Sequence, residues 1–127
     1  MAAHPTLCWR GFERLTPWGD TSPRELAQLR RETMKRPERV LWAAAWIDRW
    51  LEPVDLGGER PLMSSYGLKH LAELEHPGGY VGNGELILGA LALGWPVERI
   101  EDGPNAWIGV SVRSVKAVQK RLRRGAA

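Results

Sequence analysis

The chain has 127 residues, 43% of them hydrophobic and 26% charged, with a net charge of +3. That length and balance fit a single globular domain, 1–127, with enough surface to bury for one core; a disordered chain would be poorer in apolar residues. The one cysteine, Cys8, rules out an internal disulfide, and with no charged segment leading into an apolar run near the start, the reading is a cytoplasmic protein.

Residues 1–20 read as an irregular segment broken by Pro5, Gly11, Pro17 and Gly19. Trp9, Phe12 and Trp18 suggest that it docks on the domain. Ser22-Pro23-Arg24-Glu25 then opens a helix: Ser22 caps, Pro23 suits the first turn, and Glu25 completes a capping box. This helix should stop before Pro37, because the residue ahead of a proline disfavours helical geometry. A second helix is expected from about Glu38 to Leu51, with Val40, Leu41, Ala44, Ile47 and Leu51 on one face. Trp42, Trp46 and Trp50 make a second stripe at intervals of four. Such a helix is apolar over most of its circumference, so it is either central or in contact with a partner.

Pro53 to Pro61 reads as a loop, and a third helix starts near Ser64 or Ser65, carrying Leu68, Leu71, Ala72 and Leu74. It ends at His76-Pro77-Gly78-Gly79. Asn83 is placed to cap a fourth helix, Gly84 to Leu93, in which every residue from Leu86 onward is apolar or Gly. The longest apolar run, Leu86 to Trp95, is about half a membrane span, so this helix belongs in a core and not in a bilayer. Val97–Glu101 and Ala106–Val110 flank Asp102-Gly103-Pro104-Asn105 and read as a β-hairpin. The last element, Ser111 to about Arg124, is an amphipathic helix with Val112, Val115, Val118 and Leu122 facing inward. The expected fold is therefore mainly α (α+β): a compact bundle of about five helices with one small β-hairpin before the C-terminal helix.

Charge is unevenly distributed. The basic C-terminal helix and tail, 111–127, hold Arg113, Lys116, Lys120, Arg121, Arg123 and Arg124 and no acid. Residues 1–110 hold the other 12 basic residues and all 15 acidic ones. A cation cluster without local acids is the footprint of an anionic partner.

Patterns that would carry catalysis or cofactors fall short. His70, Glu73 and His76 lie close in sequence, and His70 and Glu73 share a helix face, but the order is not that of a His-Glu-x-x-His zinc site, and His76 sits at a helix end beside Pro77. Tyr66 and Lys69 are one residue too close for the Tyr-x-x-x-Lys pair of short-chain dehydrogenases. Gly79, Gly82 and Gly84 lead into a helix, but Ile87 stands where a dinucleotide fingerprint needs its last glycine. Cys8 has no helix N-terminus nearby to lower its pKa, and Ser64 and Ser65 lie on no nucleophile elbow. The expectation is a non-enzymatic protein with no metal and no cofactor.

Three segments carry a resemblance: Ser65-Tyr66-Gly67-Leu68-Lys69-His70, Tyr80-Val81-Gly82-Asn83-Gly84-Glu85-Leu86-Ile87 and Pro104-Asn105-Ala106-Trp107-Ile108. Over residues 64–112 the chain resembles a group of small uncharacterised proteins carried by bacterial phages, plasmids and integrative elements. Gly82 stands where that group is expected to have Ser. The resemblance implies a mobile-element habitat and no particular chemistry.

Two binding roles follow. In the first, Arg113, Lys116, Lys120, Arg121, Arg123 and Arg124 engage an anionic partner, either nucleic acid or an acidic protein surface. In the second, Trp42, Trp46 and Trp50 form a protein interface, as in a phage-encoded, anti-CRISPR-like inhibitor of a host defence protein, or in a homodimer, since Trp and Arg dominate interface hot spots. An enzyme built on Tyr66, His70 and Glu73 is a third alternative. A helix-turn-helix is disfavoured, because about sixteen residues separate Leu93 from Ser111.

Overall fold

The Ser22 hydroxyl accepts the Glu25 N–H at 3.1 Å, and helix α1 (Pro23–Met34) begins there. A proline also opens helix α2 (Pro37–Trp50), so Pro37 starts the second helix as well as limiting the first. Helix α3 (Ser65–Glu73) and helix α4 (Asn83–Ala92) follow. A strand pair then leads to helix α5 (Val112–Ala126): Val97–Arg99 lies antiparallel to Ala106–Ile108, with Val97 opposite Ile108. The computed structural model describes residues 3–15, 20–58 and 60–126; Trp18 and the end of the basic tail lie outside them. Within them the fold is mainly α, as expected, and no helix is long and apolar enough to cross a membrane.

The N-terminal segment is more ordered than its composition suggests. Leu7–Cys8 and Gly11–Phe12 form a second antiparallel pair around a tight turn at Trp9 and Arg10. This hairpin is held by bonds to distant backbone: Gly84 N–H to the Trp9 carbonyl at 2.8 Å, and Phe12 N–H to the Pro104 carbonyl at 3.0 Å. The Trp9 N–H is donated to Thr33 Oγ1 on α1. Leu7 and Phe12 pack with Ile87, Leu88 and Ala106.

Helix α4 lies at the centre, and every residue from Val81 to Ala90 is buried. One side packs on α2, where Ala43, Trp46 and Ile47 join Leu86 and Ala90 in the main cluster. Val115 and Val118 of α5 complete that cluster together with Leu68 and Ala72 of α3. Two glycines set the distances. A Cβ on Gly89 would stand 2.8 Å from the Ala44 nitrogen, and one on Gly84 would stand 1.5 Å from the Cys8 carbonyl oxygen. Each marks a backbone approaching α4 more closely than a side chain permits.

Asn83 does not cap α4 as expected. Gly82 takes that position, and the Glu85 carboxylate accepts its N–H at 2.8 Å. The other Glu85 oxygen accepts from Arg39 Nε at 2.6 Å, which neutralises a buried charge. Asn83 instead ties three segments together. It accepts the Ser65 hydroxyl at 2.7 Å and donates to the Pro104 carbonyl and to Asn105 Oδ1, both at 3.1 Å. The short polar side chain is satisfied by tertiary partners, which outcompete its local capping role.

In an ordinary helix interior, replacing glycine by alanine stabilises by up to about 1 kcal/mol. Gly89→Ala is expected to do the reverse and cost about 1–3 kcal/mol, because the methyl group meets the α2 backbone. Urea unfolding at neutral pH measures the sign.

Candidate functional site

Ser111 immediately precedes helix α5, and its hydroxyl accepts the Ser114 N–H at 3.1 Å. The preceding backbone is fastened to the end of α2 by Ser111 N–H to the Glu52 carbonyl at 2.8 Å, and the Ser114 hydroxyl accepts the Glu52 N–H at 3.2 Å. Val115 and Val118 are buried and Val112 and Leu122 half-buried, as the spacing predicts. The opposite side therefore faces out, and Arg113, Lys116, Lys120, Arg123 and Arg124 are all exposed on it. Arg113 has only a distant acid, Glu52 at 3.9 Å, and its side chain is 89% exposed. Among the described residues, Lys116, Lys120, Arg123 and Arg124 have no ion-pair partner.

Arg121 departs from this pattern and from the expectation that it faces a partner. Its Nη1 and Nη2 donate to the two oxygens of Glu75 at 2.7 and 2.6 Å. Its guanidinium carbon lies 3.5 Å from the centroid of the Trp50 ring. Trp46 Nε1 donates to the same carboxylate at 2.8 Å. A planar fork on a carboxylate and over an indole is a geometry suited to arginine and not to lysine. The Arg121 pair holds the Glu75 carboxyl below its ordinary value, with the Trp46 N–H adding to the effect against the opposing cost of burial. The cluster pins the C-terminal half of α5 to the ends of α2 and α3.

The tryptophan stripe is divided by the same cluster. Trp46 is buried and belongs to the core, which corrects its reading as interface surface. Its two neighbours are half-buried, Trp42 edge-on to the His76 ring at 4.5 Å and Trp50 under Arg121. Only parts of Trp42 and Trp50 remain for a protein partner or a homodimer.

The three residues of the enzyme alternative lie side by side on α3: His70 Nδ1 is 2.9 Å from Glu73 Oε1, and the His70 ring stands edge-on to Tyr66 at 4.4 Å. His76 does not join them, and its Nδ1 accepts the Gly78 N–H at 2.9 Å. Burial alone would raise the Glu73 carboxyl; the Val81 N–H, Lys69 and His70 together outweigh it and hold the group below its ordinary value. Among the described residues, no group of three or more His, Cys, Asp and Glu is arranged to hold a metal ion. Of the amides leading into α4, Gly82 N–H is taken by Glu85 and Gly84 N–H by the Trp9 carbonyl, so neither of these two is open to an anion. Cys8 is buried, which pushes its thiol up and away from the thiolate form.

Sequence reasoning missed a cleft lined by Trp9, Arg10, Tyr66, Lys69, Tyr80 and Asn105. Tyr66, Lys69, Tyr80 and Asn105 lie in the three segments that carry the resemblance, and the Ser65–Asn83–Asn105 bonds draw those segments together. A scan against protein-family models finds no match, and no curated protein or solved structure shows significant similarity to the chain.

A depressed carboxyl stabilises the fold while it is ionised and loses that contribution as pH falls through its folded-state value. For Glu75, whose ordinary value is 4.5, the loss comes in the acid range below that point. Wild-type urea midpoints should therefore drop more steeply between about pH 5 and pH 3 than those of Glu75→Gln. The variant should be the less stable of the two at neutral pH, where the Arg121 charge has lost its partner.

Proposed function

We propose that this protein binds nucleic acid without catalysing a reaction on it, using the outer face of α5 to hold the phosphate backbone. The observation that carries this reading is the row formed by Arg113, Lys116, Lys120, Arg123 and Arg124, exposed together on a helix with no acid of its own. From 113 to 124 the row extends roughly 16 Å at the helical rise. A duplex presents about one charge per 1.7 Å of axis, so such a row meets several phosphates and releases their counterions. Arg121 contributes differently: by binding Glu75 it neutralises that carboxylate and ties the helix that carries the row to the rest of the fold. Contacts of this kind position a protein on a backbone and carry no base sequence. A phage or other mobile-element setting, implied by the resemblance, suits such an accessory protein.

The test is the salt dependence of binding to a fluorescently labelled DNA duplex. Five phosphate contacts imply a slope of about −4 to −5 in a plot of log K against log salt. Lys116→Glu combined with Lys120→Glu should make that slope shallower by roughly 2 and weaken binding at low salt. Absence of duplex binding at low salt, or a slope unchanged in the double variant, contradicts the reading. An acidic protein as the true partner would give the first of these results.

A further inference from the structure

The cleft beside α3 has a volume of about 380 Å³, in the range of small-ligand sites. Tyr66 and Tyr80 stand on its wall, 51% and 44% exposed, and Trp9 from the N-terminal hairpin adds a third aromatic surface. The Lys69 ammonium lies 4.7 Å from the centroid of the Tyr80 ring and 5.6 Å from that of Tyr66. Arg10 supplies a second cation at the cleft.

Among the described residues, no carboxylate lines the cleft. The acids that balance its cations have other bonds. Glu73 lies 3.2 Å from Lys69 and also accepts the Val81 N–H at 3.1 Å. Glu13 pairs with Arg10 and also accepts the Thr21 hydroxyl at 3.1 Å. Lys69 is 92% buried with its charge paired, so a single phosphate group suits this site better than a polyphosphate. Asn105 adds an edge for recognition. Its Oδ1 is taken by Asn83, which leaves the amide Nδ2 as a donor with no partner among the described residues.

We propose that this cleft binds a nucleotide, with the base stacked on Tyr66 or Tyr80, the phosphate beside Lys69 and Arg10, and the Asn105 amide on the base edge. Aromatic faces next to cations are the usual equipment for unpaired bases, because every base offers a π-face and every linkage a phosphate. A free mononucleotide and one residue of a single strand present the same groups. The proposal goes beyond the backbone-binding role of α5, since a lone nucleotide has no need of that helix.

The full-length protein is titrated calorimetrically with adenosine monophosphate, and by fluorescence anisotropy with a labelled oligothymidylate of eight residues. Saturable binding of the mononucleotide identifies a free nucleotide as the source, and binding of the oligonucleotide alone identifies a single strand. In either case Tyr80→Ala or Tyr66→Ala should weaken binding roughly 5- to 100-fold. Tyr80→Phe should restore it, because the ring is kept. Both tyrosines are exposed, and unchanged urea midpoints establish that the variants fold. The Lys116→Glu, Lys120→Glu protein should bind the mononucleotide as wild type does, whatever becomes of its duplex binding. If neither ligand binds at millimolar concentration, or if both alanine variants bind as wild type does, the proposal is overturned.

Discussion

Helix α4 is apolar on all sides, and a short helix of that kind is stable only where other elements cover it completely. Gly89 lets the α2 backbone lie against it, and Gly84 does the same for the Cys8 carbonyl of the N-terminal hairpin. With those approaches made, α3 and the strand pair of Val97–Arg99 and Ala106–Ile108 cover further sides, and Val115 and Val118 of α5 join the same core cluster. The turn of the N-terminal hairpin, which carries Trp9 and Arg10, is thereby held beside Asn83 and Asn105. The cleft, which Asn83 at the start of α4 helps to line, and the basic helix both depend on this packing.

Electrostatics then separates cations with internal duties from cations left outside. Arg39 answers the buried Glu85, Lys69 answers Glu73, and Arg121 answers Glu75. Removing one partner of such a pair is costly because the other charge is left partly desolvated. Among the described residues, Lys116, Lys120, Arg123 and Arg124 have no such duty, and salt or an anionic partner would screen their mutual repulsion. A pI near 9.4 understates this polarity, because the acids lie in the rest of the chain.

Much of the fold was legible from local rules. The Ser22 cap, the apolar periods of α2, α3 and α5, and the turn between the last two strands all follow from neighbouring residues. The misses share one cause, which is dependence on distant partners. Arg121 is one of six similar cations in sequence, and only Glu75, 46 positions away, sets it apart. Trp42, Trp46 and Trp50 look equivalent along α2, but only Trp46 lies buried with its N–H on Glu75. Asn83 has the chemistry of a cap, and its bonds to Ser65, Pro104 and Asn105 arise only in the folded chain. The N-terminal hairpin is held by backbone bonds, on which side-chain patterns are silent. The exposed row on α5 was foreseeable as a whole, whereas the cleft was not, because its residues come from four separate stretches of chain.

The central claim is that the outer face of α5 meets a phosphate backbone. Mapping amide chemical shifts during titration with a short DNA duplex tests it most directly. The account predicts shifts concentrated at Arg113, Lys116, Lys120, Arg123 and Arg124, with the Arg121 guanidinium resonance unmoved in its pair with Glu75. Shifts confined to other surfaces, or none at low salt, would contradict it.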